Sequence, residues 1–256
     1  GILSFIIYLC TMESTRQQKI SRLIQKDLGE IFRLLARDNF PGFLITVTKV
    51  HITPDLSLAK RQYEAFSKLV EDLKSHGIVF PMVHLANSSA LFNVREALYN
   101  VVRPGITLFG YAPSPSLEGI WPLKPVMSIK TEVVFFKGVR KGEGVGYMHT
   151  WNAPHDGWVG TLPFGYGDGY PRILSNRAQV LIGGKRYPIV GNISMDQAMV
   201  WFDKERHEIG EEVVLLGMQG NERIGAWELA QKAETIAYEI LCGWAARVPR
   251  STDELR

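Results

Sequence analysis

The chain has 256 residues, 46% of them hydrophobic and 21% charged, and a formal net charge of +3. That length suits one large domain or two modest ones, and the charge is too mild to argue for nucleic acid by itself. Two cysteines, Cys10 and Cys242, are too few for a disulfide framework, and no Cys/His spacing suits zinc, so a reducing cytoplasm is the expected compartment.

Gly1–Cys10 is an apolar run without charge. It is shorter than the about 20 residues that span a bilayer, and it lacks the basic start of a signal peptide. Ordinary sequence begins at Met12, so residues 1–11 read as a non-native leader. No other stretch reads as transmembrane, and no membrane partner is expected.

Residues 14–37 place Ile20, Leu23, Ile24, Leu28, Ile31 and Leu35 at helical spacing, with Pro41-Gly42 as the stop. The β-branched run Phe43–Ile52 predicts a strand, Thr53-Pro54-Asp55 a turn, and Leu56–Lys60 the start of a second strand. A second amphipathic helix covers Tyr63–Lys74, and Gly77 suits its C-cap. Ile78–His84 reads as a buried strand, Ala90–Asn100 as a helix, and Val101–Phe109 as another strand. This helix–strand alternation argues parallel α/β structure. From Val126 onward, β-branched runs alternate with glycine turns, at Met127–Phe136, Gly157–Leu162, Gln179–Ile182, Ala198–Phe202 and Glu212–Leu216. That is an all-β pattern, followed by a short helix at Ala226–Ala233.

Three glycine-rich blocks stand out: Gly142–Trp151, Thr161–Tyr170 and Val190–Gln197. They hold Tyr147 and Tyr166 on different strands or turns. Glycine allows positive φ and close backbone approach, so a neighbouring phenol can be held in a tight corner. Such a phenol is either a packed hydrogen-bonder or a proton-transfer group, and for any single tyrosine packing is the commoner case.

Together and in order, these blocks make residues 62–250 resemble alanine racemase, a pyridoxal-phosphate enzyme that interconverts L- and D-alanine. The resemblance implies the last two strands of a (β/α)₈ barrel over residues 61–116 and a C-terminal β domain over 117–256. It implies that Ser88, Gly105 and Ile106, beside Asn87, hold the phosphate of pyridoxal 5'-phosphate. Arg103 would face the pyridine nitrogen, with His84 hydrogen-bonded behind it. An arginine does not give up its proton, so the ring nitrogen would stay unprotonated and the ring would be a weaker electron sink. Tyr147 is implied as a catalytic base. Such a phenol has an ordinary pKa of about 10, and nearby positive charge would have to lower it. Met195 and Asp196 are implied on the substrate-carboxylate side and Tyr166 at the entrance. These groups would act in the partner subunit's barrel, which implies a homodimer. Two features depart from the family. Ala246 stands where a tyrosine is common, and no counterpart of the cofactor-binding lysine is present: Lys49 is followed by Val50-His51-Ile52-Thr53. The chain alone is therefore expected to be inactive.

Residues 12–60 carry Arg16-Gln-Gln-Lys-Ile20, Leu23–Phe32 and Thr46–Lys60, which resemble the start of ribosome-binding factor A. That resemblance implies the first helix and hairpin of a KH-like domain and a contact with the ribosome or its RNA. The expected whole is a fusion of this segment to a truncated racemase. The rival reading is a non-enzymatic RNA-binding module, favoured by Arg16, Lys19, Arg22 and Lys26.

Overall fold

The structure is a computed structural model and describes residues 56–252. The leader, the helix expected over 14–37, the strand over 43–52 and the turn at 53–55 lie outside the described residues, and so does nearly all of the KH-like fragment. The described residues form two compact units, 56–85 with 93–101, and 86–92 with 102–252.

Helix α1 runs Leu56–Ser75. The strand expected at Leu56–Lys60 is therefore helix. Ala59, Tyr63, Phe66, Val70 and Leu73 share one helical stripe, and no Gly or Pro interrupts the run, so the periodicity extends back past Tyr63. The helix ends as expected: Gly77 takes φ +76, and the Ile78 N–H bonds back to Leu73 O at 2.9 Å. Tyr99 meets this helix twice, edge-on to Phe66 at 5.5 Å and through its hydroxyl to Ser67 at 2.7 Å.

Three expectations in this region are corrected. Ile78–Val83 is irregular rather than a buried strand, with Val79 72% and Met82 71% exposed. Pro81 lacks a ladder donor, and the Asn100 side chain instead bonds Pro81 O and Val83 N, each at 2.7 Å. Strand β1 begins only at His84 and ends at Asn87. The helix expected over 90–100 is split into α2 (Ser88–Asn93) and a 3₁₀ turn (Arg95–Ala97), because Val94 between them takes φ −136°. Strand β2 covers only Val101–Arg103; Pro104 stops it, and Ile106–Phe109 winds into a 3₁₀ turn. Strands β1 and β2 form a two-stranded sheet.

The larger unit is built on antiparallel strands. They are β3 (Ile129–Glu132), β4 (Phe135–Val139), β7 (Gly157–Leu162), β8 (Gln179–Ile182), β9 (Lys185–Val190), β10 (Ala198–Asp203), β11 (Glu212–Gln219) and β12 (Glu222–Ile224). The order is β12-β11-β8-β9-β10-β7-β4, and β3 pairs back with β11. The run Met127–Phe136, expected as one strand, is bent at Val133-Val134. Val133 N bonds Glu211 O at 3.1 Å, whereas Val134 N bonds Thr161 O at 3.0 Å. One bent stave thus joins both ends of the ladder and closes a barrel, which leaves few exposed sheet edges.

The barrel is filled by Leu162, Val180, Ile182, Ile189, Val200, Phe202 and their neighbours, all buried. In β11, Val213, Val214, Leu215 and Leu216 are buried in succession, so both faces are covered. Helices α3 (Ala226–Lys232) and α4 (Ala237–Cys242) contribute Leu229, Ala230, Ile240 and Leu241 to the same core. No helix among the described residues is long and apolar enough to cross a membrane.

Candidate active site

Apart from His84, which belongs to the smaller unit, the expected residues fall into two groups within the larger unit. The first lies where β1 leads into α2 and β2 leads into its 3₁₀ turn. The Asn87 side chain accepts the Ala90 N–H at 3.0 Å, so it caps α2. Ser88 is buried, and its Oγ accepts the Gly105 N–H at 2.8 Å. The Gly105 amide is thereby committed, and the serine hydroxyl keeps its own proton to donate. A Cβ on Gly105 would lie 3.7 Å from that hydroxyl oxygen. Ile106 is buried directly after it. Arg103 is exposed at the end of β2, and His84 is exposed at the start of β1.

The second group surrounds the loop Gly191–Gln197. Tyr147 sits at the tip of a small hairpin of β5 (Gly144–Val145) and β6 (Trp151–Asn152), two strands not legible in the sequence. The hairpin is anchored by buried Val145 and by Trp151 against Trp201 at 5.1 Å, in a satellite cluster outside the main core. Tyr147 is 73% exposed. Its carbonyl accepts the Asn192 side-chain amide at 2.9 Å. Gly191 takes φ +73, and any Cβ there would meet Val145 O at 2.5 Å, so only glycine lets the loop lie this close to the hairpin. Asn176 ties the two together. Its Oδ1 accepts the Gly191 N–H at 2.7 Å and its Nδ2 donates to Thr150 Oγ1 at 3.1 Å. Ser175 Oγ accepts the Ile193 N–H at 3.0 Å.

Tyr166, 44% exposed, begins a second turn held by the same loop. Its N–H donates to Ser194 O at 3.0 Å, and the next amide, Gly167, donates to Met195 O at 2.8 Å. Met195 and Asp196 form the tip of a turn closed by the Ser194 N–H to Gln197 O at 2.9 Å and the Gln197 N–H to Ser194 Oγ at 3.0 Å. The Ser194 hydroxyl also reaches Asp196 Oδ1 at 3.4 Å. One loop therefore registers both tyrosine turns and carries Met195 and Asp196. Sequence reasoning missed Asn176 as a hub. Its one local sign, position φ +59 after Ser175, is a backbone property.

Buried tyrosines contrast with these two. Burial pushes the Tyr170 hydroxyl up from its ordinary pKa, and Glu228 adds to the shift. Tyr170 is a core residue and Tyr147 a surface one, which separates packing from a group open to a substrate.

Residues 126–252 match the family model of the alanine racemase C-terminal domain, and residues 35–113 match that of the alanine racemase N-terminal domain. The second match begins inside the stretch that resembles ribosome-binding factor A. The alanine racemase of Halothermothrix orenii is 42% identical over 197 residues, 77% of this chain and 52% of that protein. The crystal structure of alanine racemase from Bacillus anthracis with bound L-Ala-P superposes with a TM-score of 0.73 at 37% identity, covering 78% of this chain and 52% of that one. The alanine racemase from Bartonella henselae with covalently bound pyridoxal phosphate gives 0.68 at 30% identity, covering 77% and 52%. The chain spans about half the length of the curated relatives it matches. It carries alanine racemase domains, the C-terminal one over residues 126–252 and sequence of the N-terminal one over residues 35–113.

Proposed function

We propose that this chain supplies the C-terminal part of a cytoplasmic, pyridoxal-phosphate-dependent alanine racemase, with residues 61–116 as barrel sequence and 117–256 as the β domain. The likeness to proteins named alanine racemase, spread over both domains, carries this reading. Pyridoxal phosphate, when bound, draws electron density away from the substrate Cα and makes its proton removable.

The residues at the first group suit the phosphate end. The Ser88 hydroxyl, oriented by the Gly105 amide it accepts, would donate to a phosphate oxygen, and the backbone N–H of Ile106, at the start of the next turn, would add a second donor. Asn87 acts by capping the helix that presents Ser88. Arg103 holds the pyridine nitrogen.

Tyr147 takes or returns the proton at Cα on one face of alanine. Met195 and Asp196 bind the carboxylate side, and Tyr166 narrows the entrance. Exposure of Tyr147, Tyr166 and Met195 on one loop system supports action in trans, on the barrel of a second subunit in a homodimer. The test mixes this chain with a full-length racemase subunit whose own catalytic tyrosine is replaced by phenylalanine. D-alanine should form with the wild-type chain and not with Tyr147→Phe. No gain over that control, with the hybrid dimer present, overturns the trans role.

A second reading gives residues 12–60 a ribosome or RNA contact through Arg16, Lys19, Arg22 and Lys26. RNA binding that weakens steeply with salt supports it, and salt-insensitive or absent binding removes it.

A further inference from the structure

We infer that Asp168 and Arg247 form a positioning clamp that sets where Tyr166 and Met195 stand, an inference that rests on the racemase reading of those two residues. Neither clamp residue belongs to the two groups described above. Arg247 Nε donates to Asp168 Oδ1 at 2.7 Å. The Asp168 side chain is only 18% exposed, so its charge is mostly withdrawn from water and needs its partners. Its second oxygen, Oδ2, accepts the Gly165 N–H at 2.9 Å, and its main-chain carbonyl accepts the Ala245 N–H at 2.9 Å. One aspartate thus ties the start of the Tyr166 turn to the segment 245–247.

The guanidinium extends the clamp to Met195. Arg247 Nη2 lies 3.5 Å from Met195 O, the oxygen that also receives the Gly167 N–H at 2.8 Å. Gly167 makes room for this. A Cβ there would stand 2.5 Å from Arg247 Nη2 and 2.9 Å from Met195 O. Tyr166 lies between the two clamped amides, Gly165 and Gly167, and its own N–H is bonded to Ser194 O. The backbone that carries its ring is therefore held by a closed ring of bonds through Asp168, Arg247 and Met195. A planar fork with several donors can serve the carboxylate and the carbonyl together, whereas a lysine ammonium is a single point on a flexible stem.

The test is fluorine NMR on this chain labelled with fluorotyrosine, with the Tyr166 line assigned by its loss in Tyr166→Phe. In Arg247→Gln the Tyr166 line should shift or broaden while the line of Tyr187, in the barrel wall, stays in place. Gly167→Ala, which pushes the guanidinium away without removing it, should act in the same direction. Arg247→Lys should restore the line in part. A Tyr166 line unchanged in Arg247→Gln overturns the clamp, and so does a shift of all tyrosine lines together, which would mark general loosening. In the hybrid dimer, Arg247→Gln should raise KM for alanine by roughly tenfold with kcat changed by less than about threefold, the signature of lost ground-state positioning. The NMR arm does not depend on racemisation. An inactive wild-type hybrid beside a shifted Tyr166 line therefore overturns the racemase reading alone.

Discussion

The Gly105 amide donates to the Ser88 hydroxyl across 2.8 Å, joining two turns that lie 17 residues apart in sequence. The bond uses up the amide and orients the hydroxyl, so the serine proton is what remains for a phosphate oxygen. Ser88→Ala should weaken pyridoxal phosphate binding by about 1–3 kcal/mol, the cost of a lost hydrogen bond to a charged acceptor plus a stranded amide. Titration with pyridoxal phosphate checks this. Binding of pyridoxal, which lacks the phosphate, should change little.

Asn176 connects Gly191 to Thr150 and so fixes the Tyr147 tip against the loop. Asn176→Ala should cost about 1–2 kcal/mol, with the damage confined to this corner. Hydrogen exchange at the Gly191 amide should accelerate, while the amides of β8 keep their protection. Acceleration spread across the barrel would mean that Asn176 supports the whole fold.

Phe202 is fully buried in β10 and meets Phe136 at 5.5 Å, Tyr187 at 5.1 Å and His207 at 4.3 Å. Gly160 on the neighbouring strand leaves room for it, since a Cβ there would lie 2.4 Å from the ring. Phe202→Ala should destabilise the domain by about 3–5 kcal/mol through the cavity it leaves. Urea denaturation should show a lower midpoint with an unchanged slope.

Glu228 reports on acid stability. Burial raises its pKa, but the bonds from Arg186 at 2.9 Å and Lys232 at 2.8 Å outweigh burial and leave it below the ordinary 4.5. A carboxyl with a lowered folded pKa adds stability above its unfolded pKa and loses it as pH falls through the folded one. Denaturation midpoints should therefore drop below about pH 4.5, and Glu228→Gln should make that drop shallower. An acid limb identical in the variant would show that Glu228 does not contribute.

Much of the β domain is legible in the amino acids themselves. Gly157–Leu162 and Gln179–Ile182 are strands at the expected bounds, and the helix expected at Ala226–Ala233 forms at Ala226–Lys232. Short β-branched runs between glycine turns have few other stable outcomes. The pairing of Ser88 with Gly105 was also foreseeable, because their turns follow consecutive strands. Local pattern misleads where a proline cuts an apolar run, as at Pro81 and Pro104, and where the backbone leaves the helix without a breaker residue, as at Val94. It misleads again at Leu56–Lys60, where a few residues fit strand and helix alike until the register of α1 decides.

The chemistry-bearing types were set by the sequence: the tyrosines in glycine corners, the serine after a strand, the Ser-Met-Asp turn. Their arrangement was decided only in three dimensions. Val133 and Val134 look like the middle of one strand, yet they send the chain from β11 to β7 and close the barrel. Asn176, Asp168 and Arg247 each act by bonding to segments distant along the chain, Arg247 to Asp168 across 79 positions. A hydrogen bond depends on where two groups meet, and no local run of residues encodes that meeting.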